Sequence, residues 1–258
     1  MNVDFSWTVL GSSAGIPSAD RISTGHLLKL DRHLVLFDCG GGITRAFLAG
    51  HHDTAAVSAV FISHMHPDHV SDLPLFIQML HHNENAGTLD VYLPSEALEP
   101  VQAYLDACYL LKEKLSFNLI INPITAPVSL FDGLLTVEAL PNPHLKNNAE
   151  LIKRYAYPNR MESYSFRVTA AGRKIFYTGD LYRMEDIEGK LDNLDLLVTE
   201  TTHIDTARLI SFKDERKIKN IILTHIGDDD LSEVRRLVDN YSSGGLFFGG
   251  DNFKLDIF

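Results

Sequence analysis

Apolar residues in this chain gather into short runs separated by turn-forming stretches, and the runs alternate between strand-like and helix-like patterns. Runs near 5–10, 26–30 and 34–38 predict strands, followed by a helix over 42–49. Val57-Ser58-Ala59-Val60-Phe61-Ile62 predicts a strand at 57–62, and the pattern then changes to that of a helix over 71–82. Val91-Tyr92-Leu93 predicts a further strand, with a strong helix over 96–114 behind it. In the second half, strands are predicted near 118–122, 134–140, 163–169, 173–178 and 195–199. A helix over 205–217, a strand at 220–224, a helix over 230–241 and two short C-terminal strands complete the order, with Asp230 ahead of Ser232-Glu233-Val234 as a helix start. Strands alternating with helices indicate an α/β class.

Where the strand 57–62 ends, the polar positions stop looking like an ordinary loop. Ser63-His64-Met65-His66-Pro67-Asp68-His69 brings three imidazoles and a carboxylate together. A strand delivers this segment to a sheet edge, where side chains can converge. Imidazole and carboxylate together suit zinc or a similar first-row divalent ion. Other strand ends carry the same residue types. Leu34-Val35-Leu36-Phe37 leads into Asp38-Cys39-Gly40-Gly41-Gly42, the 134–140 run into Pro141-Asn142-Pro143-His144, Lys174-Ile175-Phe176-Tyr177-Thr178 into Gly179-Asp180, and Ile221-Ile222-Leu223-Thr224 into His225. Together these point to one site at the edge of the sheets. Such a set has enough donors for two divalent ions with positions left for water and substrate, which marks a catalytic rather than a structural centre. Asp38 has two readings, a carboxylate supporting a ligating imidazole or an N-cap for the helix near Gly41.

These residues resemble the metallo-beta-lactamase fold superfamily. Its five motifs read here as Asp38; His64, His66, Asp68 and His69; His144; Asp180; and His225. The stretch from Val9 through Gly11-Ser12-Ser13-Ala14-Gly15-Ile16-Pro17 and Arg21, with Phe37-Asp38-Cys39-Gly40-Gly41-Gly42, is most similar to the ribonuclease Z and related phosphodiesterase branch. The resemblance implies an αββα four-layer sandwich of two mixed sheets flanked by helices. It implies that His64, His66 and His144 hold one metal, that Asp68, His69 and His225 hold a second, that Asp180 bridges them, and that Asp38 supports the ligands from behind. It implies zinc first, with manganese or iron as alternatives. The chain departs from the ribonuclease Z pattern twice. Only Leu145 to Glu162 separates His144 from the next strand, which leaves no room for the long arm that clamps transfer RNA, and Thr199-Glu200-Thr201-Thr202-His203 stands where that branch has His-Glu-Ala-Thr. His203, just past the strand at 195–199, is a candidate to supply the proton donor from a new position. The residues assigned to catalysis are therefore Asp68, from within the ligand set, and His203.

Composition narrows the partners. With 23 basic against 34 acidic residues the net charge is −11, which argues against a long nucleic-acid backbone as partner. A local basic stretch, Lys146, Lys153, Arg154 and Arg160, is either a patch or a solvated loop. Segments 81–88 and 145–162 are candidate pocket walls. No linker-like tract divides the 258 residues, and the expected ligands come from both halves, so a single domain over 1–258 is expected. The N-terminus shows no basic start followed by an apolar stretch, and no apolar run approaches the roughly 18 residues of a membrane span. A cytoplasmic protein without a membrane partner is expected, and a homodimer is allowed. Cys39 and Cys108 suggest no disulfide framework, and His26, His33, His51, His52, His81 and His82 join no ligand pattern. The expected function is a dinuclear metal-dependent hydrolase that cleaves a phosphodiester or small anionic ester with metal-bound hydroxide. The alternatives are a carbonyl-ester, thioester or lactam hydrolase, and a catalytically silent metal-containing ligand sensor.

Overall fold

The computed structural model describes residues 4–83 and 85–257. Residues 1–3, which open the N-terminal stretch read above, Glu84 of the 81–88 wall segment, and residue 258 lie outside the described residues. The chain divides into two compact units, one formed by the described residues up to Ile124 with Gly250–Asp256, the other by Thr125–Gly249 with Ile257.

The first unit holds strands β1 (Phe5–Gly11), β2 (Gly25–Leu30), β3 (His33–Phe37), β4 (Val57–Phe61), β5 (Thr88–Leu93) and β6 (Asn118–Pro123). Its helices are α1 (Ile43–Ala49), α2 (Pro67–Val70), α3 (Leu73–His82) and α4 (Leu98–Ala107). The second unit holds β7 (Val128–Leu130), β8 (Leu135–Pro141), α5 (Ala149–Tyr155), β9 (Tyr164–Ala170), β10 (Arg173–Tyr177), β11 (Leu196–Thr199), α6 (Thr206–Glu215), β12 (Asn220–Leu223), α7 (Leu231–Asp239) and β13 (Leu246–Phe248). The last strand, β14 (Phe253–Asp256), returns to the first unit.

Each unit is built on one seven-stranded sheet, in the orders β14-β1-β2-β3-β4-β5-β6 and β13-β12-β11-β10-β9-β8-β7. Both sheets change character half-way: β14 to β3 pair antiparallel and β3 to β6 parallel, while β7 to β10 pair antiparallel and β10 to β13 parallel. Parallel strands need crossovers, and helices supply most of them, covering a sheet face. In the first unit Leu36, Val60 and Val91 pack under Phe47, Phe76, Ile77 and Leu105. The alternate positions of β1, β3 and β4 are mostly buried as well, and Trp7, Phe37, Phe61 and the half-buried Tyr92 form a row of stacked rings with centroids 5.2, 5.4 and 4.5 Å apart. Burial on both faces explains why these strands read as near-continuous apolar runs. In the second unit Phe176, Leu197, Ile221 and Leu223 pack with Leu209 and Val234.

Several expected elements have different limits. The helix expected over 71–82 is split into α2 and α3, because Asp72 turns inward to accept a hydrogen bond from Thr44 N at 2.6 Å, serving the start of α1. The helix expected over 96–114 ends at Ala107, where Tyr109 takes φ 59° and lets Leu110 fold back into the core. The 145–162 segment contains α5 rather than loop alone. Strand β7 was not expected; its three residues are too few to show a period. Asp230 occupies the N-cap position of α7 but its side chain caps nothing, whereas Asp205 accepts from Arg208 N at 3.0 Å and caps α6. Among the described residues no helix is long and apolar enough to cross a membrane.

One glycine governs how the loop after β3 meets the loop after β4. A Cβ on Gly40 would lie 1.9 Å from the Asp68 carbonyl oxygen, a backbone atom with no rotamer to escape into. Gly40→Ala is therefore expected to destabilise the protein by about 3 kcal/mol, the upper end of the usual cost of overpacking. Urea denaturation measures this, and an unchanged midpoint would show that the two loops are not locked together.

Candidate functional site

In the first unit the candidate residues follow two neighbouring parallel strands whose ends are in register, Phe37 opposite Phe61. Immediately past those ends, Asp38 N donates to Phe61 O at 2.8 Å. Asp38 is fully buried at φ 59°, a conformation that Asp and Asn tolerate better than most residues. Its Oδ1 accepts from Ser63 N at 2.7 Å, and its Oδ2 accepts from Ser63 Oγ at 2.9 Å and from His69 Nδ1 at 2.8 Å. The helix α1 begins instead at Gly42, without a side-chain cap, so the capping reading of Asp38 does not hold. Pro67 at the start of α2 suits a turn whose N-cap is His66. The rings of His64 and His66 lie 4.6 Å apart, those of His64 and His69 4.2 Å apart.

These contacts set the imidazole tautomers. A carboxylate only accepts, so His69 carries its hydrogen on Nδ1 and leaves the Nε2 lone pair as a ligand. Ser63 Oγ spends its single hydrogen on Asp38 Oδ2, so His64 Nδ1, 3.0 Å from that oxygen, donates to it. His64 Nε2 is likewise left with its lone pair. A buried carboxylate and one serine thus orient two imidazoles. Cys39 is fully buried and its thiol pKa is raised well above the usual range by burial, with Asp72 and Asp38 adding to the effect.

In the second unit the register does the same work. Tyr177 pairs with Val198, and Thr199 with Leu223, so the carboxyl ends of β10, β11 and β12 share one edge and deliver Asp180, Glu200 and His225 there. The antiparallel pairing of β8 with β9 sets Pro141 beside Tyr164 and brings His144 to that edge too. Asn142 accepts from His144 N at 3.1 Å and donates to Ser165 Oγ at 3.1 Å, holding the turn. His144 Nδ1 donates to the Leu181 carbonyl at 3.1 Å, which again leaves Nε2 as the ligand atom. Asp180 faces His144 Nε2 at 3.6 Å through Oδ2 and His225 Nε2 at 3.3 Å through Oδ1. In the first unit Asp68 Oδ2 stands 3.5 Å from His69 Nε2.

Those three separations test whether metal fits. Two donors about 2.0 to 2.1 Å from one tetrahedral zinc are about 3.4 Å from each other. All three pairs, at 3.3 to 3.6 Å, have the spacing of atoms that share an ion. In all three pairs the donors are an imidazole Nε2 and a carboxylate oxygen, atoms that suit such a centre.

Glu200 is the residue that the sequence reading left without a role. Its side chain is buried at the end of β11, and Oε1 accepts from Leu181 N at 2.9 Å, on the loop that carries Asp180. Oε2 accepts from Thr202 N at 2.8 Å, from His203 N at 2.9 Å and from Thr202 Oγ1. His203 Nδ1 lies 2.9 Å from Oε1, and the His203 ring meets that of His144 edge-on at 5.4 Å. The Glu200 hydrogen bond raises the His203 pKa above its ordinary value, burial opposes the shift, and the charges of Glu200 and Asp180 add to it. An acid at a strand end three positions ahead of a His was the available signal for this pair.

A family model described as a Beta-lactamase superfamily domain matches residues 33–238. The chain belongs to this family. The match takes in every candidate ligand named above. Among curated relatives, the ribonuclease Z of Prochlorococcus marinus subsp. pastoris is 29% identical over 188 residues, covering 72% of this chain and 54% of the relative. The chain spans about half the length of the first curated relatives that it matches, 54% and 49%. Among solved structures, the metallo-beta-lactamase fold protein YhfI from Bacillus subtilis superposes with a TM-score of 0.75 at 21% identity, covering 98% of this chain and 99% of YhfI. The short form of human tRNase Z superposes with a TM-score of 0.72 at 20% identity, covering 98% and 99%. These likenesses show the metallo-beta-lactamase fold, the α/β class with two mixed sheets flanked by helices that the sequence led one to expect.

Proposed function

We propose that the chain is a dinuclear metal-dependent hydrolase that cleaves phosphodiesters, acting on a small anionic ester. His64, His66 and His144 would hold one ion, Asp68, His69 and His225 the second, and Asp180 both. The observation that carries this reading is the ligand-like spacing of Asp180 from two different imidazoles, one on each carboxylate oxygen. Membership in the family and relatives named ribonuclease Z support it. The reading treats 1–258 as one functional domain, since each unit carries only part of the ligand set. Oriented imidazoles in the majority favour zinc. When bound, the ions would lower the pKa of water to about 7 and neutralise charge building on the phosphate.

The remaining work falls to the chain's own side chains. Asp38 and Ser63 hold His69 and His64 in the tautomer that leaves Nε2 unprotonated, and Leu181 O does so for His144. Glu200 fixes His203 through Nδ1, so His203 Nε2 is the atom that would pass a proton to the departing alkoxide or phenoxide. The acidic balance of the chain does not oppose an anionic substrate, because a local field at bound cations outweighs distant screened charge.

The test is turnover of methyl para-nitrophenyl phosphate beside thioesters and lactams, with and without a chelator. Phosphodiester hydrolysis, abolished by chelation and restored by added zinc or manganese, is the expected result. Full metal loading without turnover of any substrate would leave a ligand sensor instead. His203→Ala separates the proposed proton donor from the ligands. It is expected to retain full metal content and to lose about 10²- to 10⁴-fold in kcat on a phenyl ester. On the para-nitrophenyl ester, whose leaving group needs little protonation, the loss should be far smaller. Equal losses on both esters would remove His203 from proton transfer.

A further inference from the structure

The loop between β1 and β2 is tied at its stem and carries its least polar residues at its tip. Gly11 permits the stem to close: a Cβ there would lie 1.9 Å from the Ser23 carbonyl oxygen. Ser13 N donates to Ile22 O at 2.9 Å, Thr24 Oγ1 donates to Ser13 O at 3.3 Å, and the Arg21 guanidinium donates to Ser12 O at 3.3 Å. Asp251, from the turn ahead of β14, holds both ends at once. Its Oδ1 accepts from Ser12 N at 2.9 Å and from Ser12 Oγ at 2.7 Å, and its Oδ2 accepts from Ile22 N at 2.8 Å. Hydrogen bonds to an ionised carboxylate are among the strong ones, so three of them make residues 12–22 a stiff loop.

The tip, Ala14-Gly15-Ile16-Pro17, carries no charge and borders a candidate ligand. A Cβ on Gly15 would stand 3.9 Å from Asp68 Oδ2, the same oxygen that faces His69 Nε2. Among the described residues no other atom beyond its chain neighbours comes within 4 Å, so the tip is open on its remaining sides. The next residue, Ile16, is 87% exposed, more than any other large apolar side chain among the described residues. A lone exposed isoleucine on a surface loop is ordinary. A stiff loop that holds one beside a candidate metal ligand offers a substrate an apolar surface that needs no ordering when it binds. We propose that Ile16 is a specificity-determining residue of the site, selecting phosphodiesters with an uncharged, apolar substituent, and that Asp251 is the positioning residue that holds it there. A second anionic group on the substrate would meet no cation from this tip and would lose water against apolar atoms. The inference rests on the phosphodiesterase reading and narrows its small anionic ester to an aryl or alkyl one.

Calorimetry of diphenylphosphinate and dimethylphosphinate on the zinc-loaded full chain reads selectivity apart from turnover, because their carbon–phosphorus bonds do not hydrolyse. Diphenylphosphinate is expected to bind the wild type more tightly. Ile16→Ser is expected to cut that preference about tenfold, the low end of what an apolar contact contributes to discrimination. Ile16→Lys should turn it toward bis(4-carboxyphenyl)phosphinate. Both variants should keep the wild-type urea midpoint, since a side chain that is 87% exposed adds nothing to the core. Asp251→Asn sets an amide NH₂ against Ser12 or Ile22 donor to donor, and the same loss of preference is expected with bound zinc unchanged. A merely structural Asp251 would lower the urea midpoint and leave the ratio of the two affinities at its wild-type value, which would remove Asp251 from positioning. Equal wild-type affinities, binding of neither phosphinate, or a preference untouched by both Ile16 variants would overturn the apolar wall. If methyl para-nitrophenyl phosphate is still hydrolysed in that case, the proposed activity survives; a preference carried by Ile16 in a chain that hydrolyses no ester would sink the activity and leave the wall.

Discussion

Asp180→Asn is expected to leave the protein folded, to cut bound divalent metal from two ions per chain to one or fewer, and to lower phosphodiester turnover by more than about a hundredfold. The hundredfold mark is the upper end of what losing a group behind the ligands costs. Asp180 should exceed it, because its two oxygens face two different imidazoles, His144 at 3.6 Å and His225 at 3.3 Å. Asparagine keeps the shape but turns one oxygen into an amide NH₂, which donates hydrogen bonds and cannot ligate. Stability should move the other way or not at all in metal-free protein, since a buried carboxylate is costly to desolvate when its counter-charge is absent. Elemental analysis after desalting, steady-state kinetics and urea denaturation together decide the matter. A variant that keeps two ions and wild-type kcat would show that Asp180 bridges nothing.

The candidate site was legible wherever chemistry and strand ends coincide. The imidazole cluster after β4, and Asp38, His144, Asp180 and His225 each behind an apolar run, stand out because a loop residue there has no packing role to explain it. The pairing registers that carry His144, Asp180 and His225 to one edge of their sheet are not written in any single run. Glu200 was passed over because its partners, Leu181 N and His203, are recognisable only once β10 and β11 lie side by side. Helix α5 escaped the reading for the opposite reason. Apolar periodicity reports the face that a helix buries, and α5 buries none. The break between α2 and α3 depends on Asp72 serving a helix 28 positions upstream, a contact without a local pattern.

Asp38 yields the sharper test, because two substitutions there should separate stability from metal binding. Asp38→Ala leaves Ser63 N, Ser63 Oγ and His69 Nδ1 facing a void at a fully buried position. Each abandoned buried donor costs about 1 to 3 kcal/mol, so a loss of about 3 to 5 kcal/mol is expected for the three together. Asp38→Asn keeps the volume, tolerates the left-handed backbone and still accepts from Ser63 N, so most of that stability should remain. Its amide nitrogen then meets His69 Nδ1 donor to donor. The conflict is relieved if His69 moves its hydrogen to Nε2, which makes Nδ1 an acceptor and removes the lone pair that would ligate. Metal affinity at the His69 position should therefore fall by about 10- to 100-fold while urea denaturation changes little. Nitrogen-15 spectra of the imidazoles read the tautomer directly, and calorimetry reads the affinity. An Asp38→Asn protein that binds both ions as tightly as the wild type, with His69 still protonated at Nδ1, would mean that the carboxylate only fills space.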